Sequence, residues 1–231
     1  MIHFWAVVGL IGAGKTSFLV ALVEFLESLG FKVILVDENI EKFTSTTFEG
    51  QEFNPLKAQY KNPEKWCGAF QNFVYRIRVE EQNGALEEAT KWQEQNPEKD
   101  VFVLSGRCLR CDNIFFDVHR EAGRIKDDQA FLHDQLCKIE PLPVPSLYIY
   151  LRTSVETCVE RKDMRGREGE EEITELLIAL EAKHEKVYAQ NDPEVIIIDN
   201  DQPLSQDTLK SSANPKVIEL SQTPSFISIT Q

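Results

Sequence analysis

Residues Gly9-Leu10-Ile11-Gly12-Ala13-Gly14-Lys15-Thr16 follow an apolar run, Phe4-Trp5-Ala6-Val7-Val8, and open a helical stretch from Ser17 to Leu29. This is G-x-x-x-x-G-K-T set between a strand and a helix, the context in which the motif forms a phosphate-binding loop. Its glycines let backbone N–H groups wrap around a polyphosphate, and the positive end of the next helix points at the same oxygens. Lys15 is placed to reach the β- and γ-phosphates, and the Thr16 hydroxyl to hold Mg²⁺. Gly9, Gly12, Ala13, Gly14, Lys15, Thr16 and Ser17 are therefore the expected nucleotide-binding residues, and a nucleoside triphosphate is the expected ligand.

The rest of the chain fits that start. Strand-like runs at Phe4–Val8, Lys32–Val36, Val101–Leu104, Leu147–Leu151 and Val195–Ile198 alternate with helical stretches. Several are continuously apolar and β-branched, as strands buried on both faces must be. The expected class is α/β, a P-loop NTPase-type doubly wound sheet of five parallel strands flanked by helices. Asn54-Pro55 and Asn62-Pro63 each place a capping residue before a proline at the first helical position. The second opens a long helix through Trp66, Phe70, Phe73, Val74 and Ile77. The 231 residues suit one domain, expected over residues 1–204, with 205–231 a mobile tail.

A formal net charge of −13 argues against non-specific binding to nucleic acid or to an anionic membrane surface. No apolar run reaches membrane-span length, and with the first strand starting at once, no signal or transit peptide is expected. Five unevenly spaced cysteines suit reduced thiols in a cytoplasmic setting. Cys108-Leu109-Arg110-Cys111 is a lone CxxC with no second pair or neighbouring histidine, which does not make a zinc or redox site.

Three groups outside the loop could do chemistry. The second strand ends in Asp37-Glu38, where a carboxylate faces the ligand crevice and can serve as general base; a solvated acidic turn is the plainer reading. Arg161-Lys162-Asp163-Met164-Arg165-Gly166-Arg167 carries four cations in an acidic chain, with Arg161 and Arg165 on one helical face. It reads either as a phosphate-covering lid or as a basic face paired with the acidic run Glu168 to Glu172. Gln71, Val74 and Arg78 share a helical face among the aromatics Phe70, Phe73 and Tyr75, suited to reading a base edge or to an ordinary amphipathic helix. The third strand ends in Ser105-Gly106-Arg107 without the acid that P-loop enzymes use there to help hold Mg²⁺.

Taken in order, these segments resemble the deoxynucleoside kinases of the deoxycytidine/deoxyguanosine kinase group, from the P-loop to about Asp201. Glu38-Asn39-Ile40-Glu41-Lys42-Phe43 is similar to the family's E-P-V-E-K-W. Tyr60 to Trp66 and Phe70 to Val74 resemble its substrate helix. Gly106-Arg107-Cys108-Leu109-Arg110-Cys111-Asp112 stands where the family has E-R-S-x-x-S-D. Arg161 to Glu170 resembles its lid, and Lys183-His184-Glu185 falls in the helix after it.

The resemblance implies that Glu38 takes the proton of a nucleoside 5′-hydroxyl and that Arg107 steadies that carboxylate. It implies that Lys15, Arg161, Arg165 and Arg167 stabilise the transferring phosphoryl group. Tyr60 and Glu170 would hold the sugar 3′-hydroxyl. Gln71 would pair with a base sandwiched by Phe70 and Phe116, with Leu56, Phe43 and Val74 lining the pocket. An Arg–Asp pair at Arg78 and Asp112 accompanies deoxycytidine or purine acceptance in the family, rather than thymidine. Three departures are a glycine at 106 for the metal-supporting glutamate, Phe43 for a tryptophan, and Cys108 and Cys111 for two serines that donate hydrogen bonds.

The implied activity is ATP- and Mg²⁺-dependent phosphorylation of a deoxynucleoside in nucleotide salvage, by a homodimer. Two alternatives share the scaffold. A nucleoside monophosphate kinase would need a further anion site, for which Arg76 and Arg110 are the unassigned cations. A non-catalytic nucleotide-binding member would be consistent with Gly106.

Overall fold

Where helices cover both faces of a sheet, its strands are largely apolar, and the five strand-like runs fit that condition. The computed structural model describes residues 1–202 apart from 37, 39, 168, 169, 171, 172 and 191. The Asp37 expectation, most of the acidic run after the lid, and the tail over 205–231 lie outside the described residues.

β1 (Ile2–Val8) leads through the P-loop into α1 (Lys15–Ser28) and on to β2 (Lys32–Val36). Then come α2 (Ile40–Thr44), β3 (Thr46–Phe48), β4 (Gln51–Phe53), α3 (Pro55–Lys61) and α4 (Pro63–Gln95). β5 (Val101–Ser105) is followed by α5 (Leu109–Glu121) and α6 (Asp127–Ile139). β6 (Leu147–Arg152), α7 (Val155–Arg165), α8 (Thr174–Tyr188) and β7 (Val195–Asp199) complete the order.

The main sheet runs β2-β5-β1-β6-β7 with every neighbour parallel. All of β5, and β1 from His3 onward, are buried. One face packs on α1 and α8 through Phe18, Leu22, Leu26, Leu177, Leu180 and Tyr188. The other packs Phe4, Ile34, Val36, Val101 and Val103 against Ala85, Leu86, Ala89 and Trp92 of α4. β1 is central and connections leave it to both sides, so the C-terminal ends of β1, β2 and β5 open one crevice. No helix among the described residues is long and apolar enough to cross a membrane.

Both proline-led helices start as expected. The Asn54 side chain accepts from the Lys57 N–H at 2.8 Å, and that of Asn62 from the Lys65 N–H at 3.3 Å. α4 continues for 33 residues, well beyond the apolar stretch that signalled it. The sequence reading did not include the small antiparallel hairpin of β3 and β4. Its turn uses Glu49 and Gly50, both at positive φ.

Candidate active site

The P-loop closes tightly on its supports. Gly9, Gly12 and Gly14 have positive φ. At Gly12 a Cβ would stand only 2.3 Å from the backbone oxygen of Cys158 in α7. Glycine is therefore required there by both conformation and contact. Gly12→Ala should cost roughly 2–4 kcal/mol from strain and overpacking. A thermal melt should show that as a fall of about 4–16 °C. Lys15 is buried, and its ammonium donates to the carbonyls of Gly9 (3.1 Å) and Leu10 (2.7 Å). Burial, with Arg107 nearby, lowers its pKa to about 7 against the pull of Glu38.

Gly12, Gly14, Lys15, Thr16 and Ser17 form one end of a cavity of about 700 Å³, a size suited to small-molecule ligands. Gly9 and Ala13 do not line it. Both face the protein interior, Gly9 through its carbonyl to Lys15 and Arg107, and Ala13 fully buried. Of the expected nucleotide-binding residues, these two stand behind the cavity wall rather than on it.

Glu38, just beyond β2, meets Arg107, just beyond β5, across the crevice: the Arg107 Nε donates to Glu38 Oε1 at 3.1 Å. Burial pushes the Glu38 carboxyl up. Arg107, Lys15 and Arg78 outweigh that and hold it below the ordinary glutamate range. The Arg107 guanidinium also lies over the Phe115 ring at 5.0 Å. A Cβ at Gly106 would stand 3.5 Å from Glu38 Oε1. The ground beside the missing acid is thus held by Glu38 itself. For a magnesium ion the cavity offers the Thr16 hydroxyl and the Glu38 carboxylate. That set suits an ion that takes one or two carboxylates, phosphate oxygens and waters.

At the other end, α2, α3 and α4 supply the walls. Phe43, Leu56, Tyr60, Phe70, Gln71, Val74 and Arg78 all line the cavity as expected. The Phe43 ring packs edge-on against Phe70 at 6.2 Å. The Arg78 Nε lies 2.7 Å from Asp112 Oδ2, both side chains being nearly buried. Neither atom makes an aligned hydrogen bond. The two opposite charges are held against each other on the cavity wall. Burial raises the Asp112 pKa more than Arg78 and Arg107 lower it.

The lid cations divide. Arg161, Arg165 and Arg167 line the cavity. Lys162 turns inward, and its ammonium donates to the Glu170 backbone oxygen at 2.8 Å. Arg165 and Arg167 both pair with the buried carboxylate of Glu170, Arg167 at 3.1 Å. Glu170 thus faces the cavity near Tyr60 and orders two of these arginines at once, so the same arginines line the cavity and are ion-paired.

One expected wall residue is not there. Phe116 stacks on His133 at 4.1 Å in a cluster with Cys67, Ile125 and Ala130, and Phe115 lines the cavity instead. One residue along a helix is a turn of about 100°, so the two phenylalanines cannot face the same way. Tyr75 also leaves the site, donating its hydroxyl to the Glu140 backbone oxygen at 2.7 Å. The two cysteines that stand in place of hydroxyl donors still make hydrogen bonds. The Cys108 N–H donates to Cys111 Sγ (2.9 Å) and the Cys111 thiol to the Cys108 carbonyl (3.0 Å), capping α5 with sulfur.

Gln59 was not anticipated. It is buried on the cavity wall with its Oε1 unpartnered, and its spacing of three from Leu56 on α3 was the available signal.

The family model described as "Deoxynucleoside kinase" matches residues 5–220. Mouse deoxycytidine kinase is 27% identical over 196 residues, covering 77% of this chain and 72% of that protein. A putative deoxynucleoside kinase of Frog virus 3 is 32% identical over 178 residues, covering 76% and 77%. Among solved structures, a deoxyadenosine kinase from M. mycoides with dCMP and dCDP bound superposes with a TM-score of 0.68. It shares 22% identity and covers 94% of this chain and 99% of its own. That likeness supports the fold, a P-loop NTPase-type α/β sheet. With a phosphate-binding loop, a paired carboxylate and an arginine lid around one cavity, the chain belongs to the deoxynucleoside kinase family, transferases that phosphorylate nucleoside hydroxyl groups.

Proposed function

We propose that this enzyme transfers the γ-phosphoryl group of ATP to the 5′-hydroxyl of a deoxynucleoside, preferring deoxycytidine or a purine deoxynucleoside to thymidine. The observation that carries the reading is the single cavity with Lys15 at one end, the Arg78–Asp112 pair at the other, and Glu38 between them. In the step, the 5′-oxygen bonds to the γ-phosphorus. The bond from that phosphorus to the bridging oxygen breaks, its electron pair leaving with ADP, and the 5′-proton goes to Glu38. Lys15 and the lid arginines face the charge that develops. Thr16, with Glu38 nearby, would hold Mg²⁺, which supplies charge neutralisation at the β- and γ-phosphates.

The Arg78–Asp112 pair supports the base preference, since a guanidinium and a carboxylate together complement a base carrying both acceptor and amino groups. The likeness to deoxycytidine kinase supports it as well. The monophosphate-kinase alternative is weakened because both spare cations are engaged elsewhere. Arg110 pairs with Asp192 at 3.2 Å and lies on Tyr148, and Arg76 pairs with Glu140 at 3.2 Å. A homodimer is supported by Phe131, Leu132 and Ile139, which α6 leaves exposed, and a cytoplasmic setting by five free cysteines.

The test is monophosphate formation from Mg·ATP with each of the four natural deoxynucleosides. Deoxycytidine or a purine should lead and thymidine trail. Removing the pair together by Arg78→Val with Asp112→Ala avoids stranding one buried charge. It should move the thymidine-to-deoxycytidine ratio of kcat/KM by at least about tenfold towards thymidine. No product from any nucleoside, despite ATP binding, would favour the non-catalytic alternative.

A further inference from the structure

Asn200, the first residue after β7, is buried at 4% exposure, although nothing in its sequence context marks it. It makes three hydrogen bonds. Its backbone N–H donates to the Arg152 carbonyl at 2.8 Å, extending the β6–β7 ladder by one residue. Its Nδ2 donates to the Ala13 carbonyl in the P-loop at 2.6 Å. Its own carbonyl accepts from Arg161 Nη2 at 2.9 Å. The Thr153 hydroxyl reaches the same Ala13 oxygen, more weakly, at 3.5 Å.

The direction of these bonds matters. In a trans peptide the C=O of one residue and the N–H of the next point opposite ways. Drawing the Ala13 oxygen away from the cavity therefore turns the Gly14 N–H the other way. Ala13 is fully buried whereas Gly14 lines the cavity. A Cβ on Gly14 would stand 3.2 Å from Asn200 Nδ2 and 3.6 Å from Arg161 Nη1. The loop, the asparagine and the lid arginine thus meet at one point.

We propose that Asn200 is the positioning residue that fixes the Ala13–Gly14 peptide with its N–H towards the donor phosphates, and that through its carbonyl it sets Arg161 over the same site. The inference rests on the P-loop being the donor site. It concerns binding, so it stands apart from whether turnover follows.

Asn200→Ala removes the donor and keeps the backbone carbonyl. Isothermal titration should show ATP bound about three- to tenfold more weakly, the loss of one buried hydrogen bond. Inorganic tripolyphosphate should weaken by the same factor, because the defect is at the phosphates. Deoxynucleoside affinity should stay within about twofold. Asn200→Asp keeps the shape but sets an acceptor against the Ala13 carbonyl, and should weaken both polyphosphates further. In steady-state kinetics KM for ATP should rise while KM for the nucleoside holds. If one variant fails to fold, the other carries the comparison. Wild-type ATP affinity in both variants would overturn the assignment. So would equal losses of ATP and nucleoside, or a loss of ATP without loss of tripolyphosphate. A protein that binds ATP with this dependence on Asn200 but makes no monophosphate would overturn the kinase reading and leave the positioning role standing.

Discussion

Glu38→Gln is expected to lower monophosphate formation by about 10²–10⁴-fold, the range for loss of a positioned general base. Glutamine keeps the size of the side chain, and its amide oxygen can still accept from Arg107, so the 3.1 Å contact need not be lost. What disappears is the proton acceptor. Nucleoside affinity should therefore change little and the effect should fall mainly on kcat, with Mg·ATP affinity weakened only by the carboxylate's share in holding Mg²⁺. pH dependence gives a second readout. Burial favours the neutral acid, but Arg107, Lys15 and Arg78 prevail and hold the carboxyl below its ordinary value of 4.5. The base is therefore ionised throughout the neutral range, and the acid limb of kcat/KM due to it should lie below pH 4.5. The linked stability has the same sign. It is fully present above the unfolded glutamate value and is lost as pH falls through the lowered native one. Glu38→Gln should remove that part of the acid sensitivity. A variant that turns over like the wild type would exclude Glu38 as the base.

How much of this was legible follows from how local each signal is. The P-loop is eight consecutive residues, and its strand and helix lie on either side, so one stretch of sequence carries the whole device. The central strands were legible because burial on both faces leaves continuous apolar runs, and the edge strands β2 and β7 because they stay apolar even where Leu35 and Ile197 are exposed. Glu38 was placed by its position at a strand end, where an open parallel sheet presents its ligand site, and Arg107 by the family resemblance. Gln71, Val74 and Arg78 were found by helical spacing, and all three line the cavity.

The failures are of another kind. Phe115 and Phe116 differ by one step on α5, and no local feature says which of two adjacent phenylalanines faces inward. His133 and Cys67 decide it, and both are remote in sequence. The β3–β4 hairpin is mostly exposed, so it leaves no apolar pattern to read. Lys162 looked like one more lid cation, yet it is turned inward onto the Glu170 backbone. Asn200 reaches Ala13 across 187 residues, a contact that only the closed sheet creates. Sequence thus located the groups that line the cavity better than the groups that hold them in place.

Replacing Lys15 by methionine should bring the second large loss, about 10²–10³-fold in turnover for removal of one donor aimed at developing charge. The lysine also predicts an unusual coupling to protons. Burial and then Arg107 depress its pKa to about 7 in the unliganded enzyme. Phosphate oxygens favour the ammonium form and return it towards the ordinary range. Titrating ATP in buffers of different ionisation enthalpy should thus show uptake of about 0.9 proton at pH 8 and about 0.1 at pH 6, as linkage to a group of pKa near 7 requires. ATP affinity should fall as pH rises above 7. The unliganded protein should behave oppositely. Between pH 7 and the unfolded lysine value of 10.5, the unfolded chain holds the proton that the native one has released, so stability rises with pH over that window. Lys15→Met removes both trends. Below pH 7 its unliganded form should melt higher than wild type, because the desolvation of a buried ammonium beside Arg107 is then gone. A variant that binds less ATP and is more stable without it would show that the P-loop holds its lysine at a cost in stability which the triphosphate relieves. A wild-type enzyme that binds ATP with no proton uptake at pH 8 would mean that the buried lysine is already charged before the phosphates arrive.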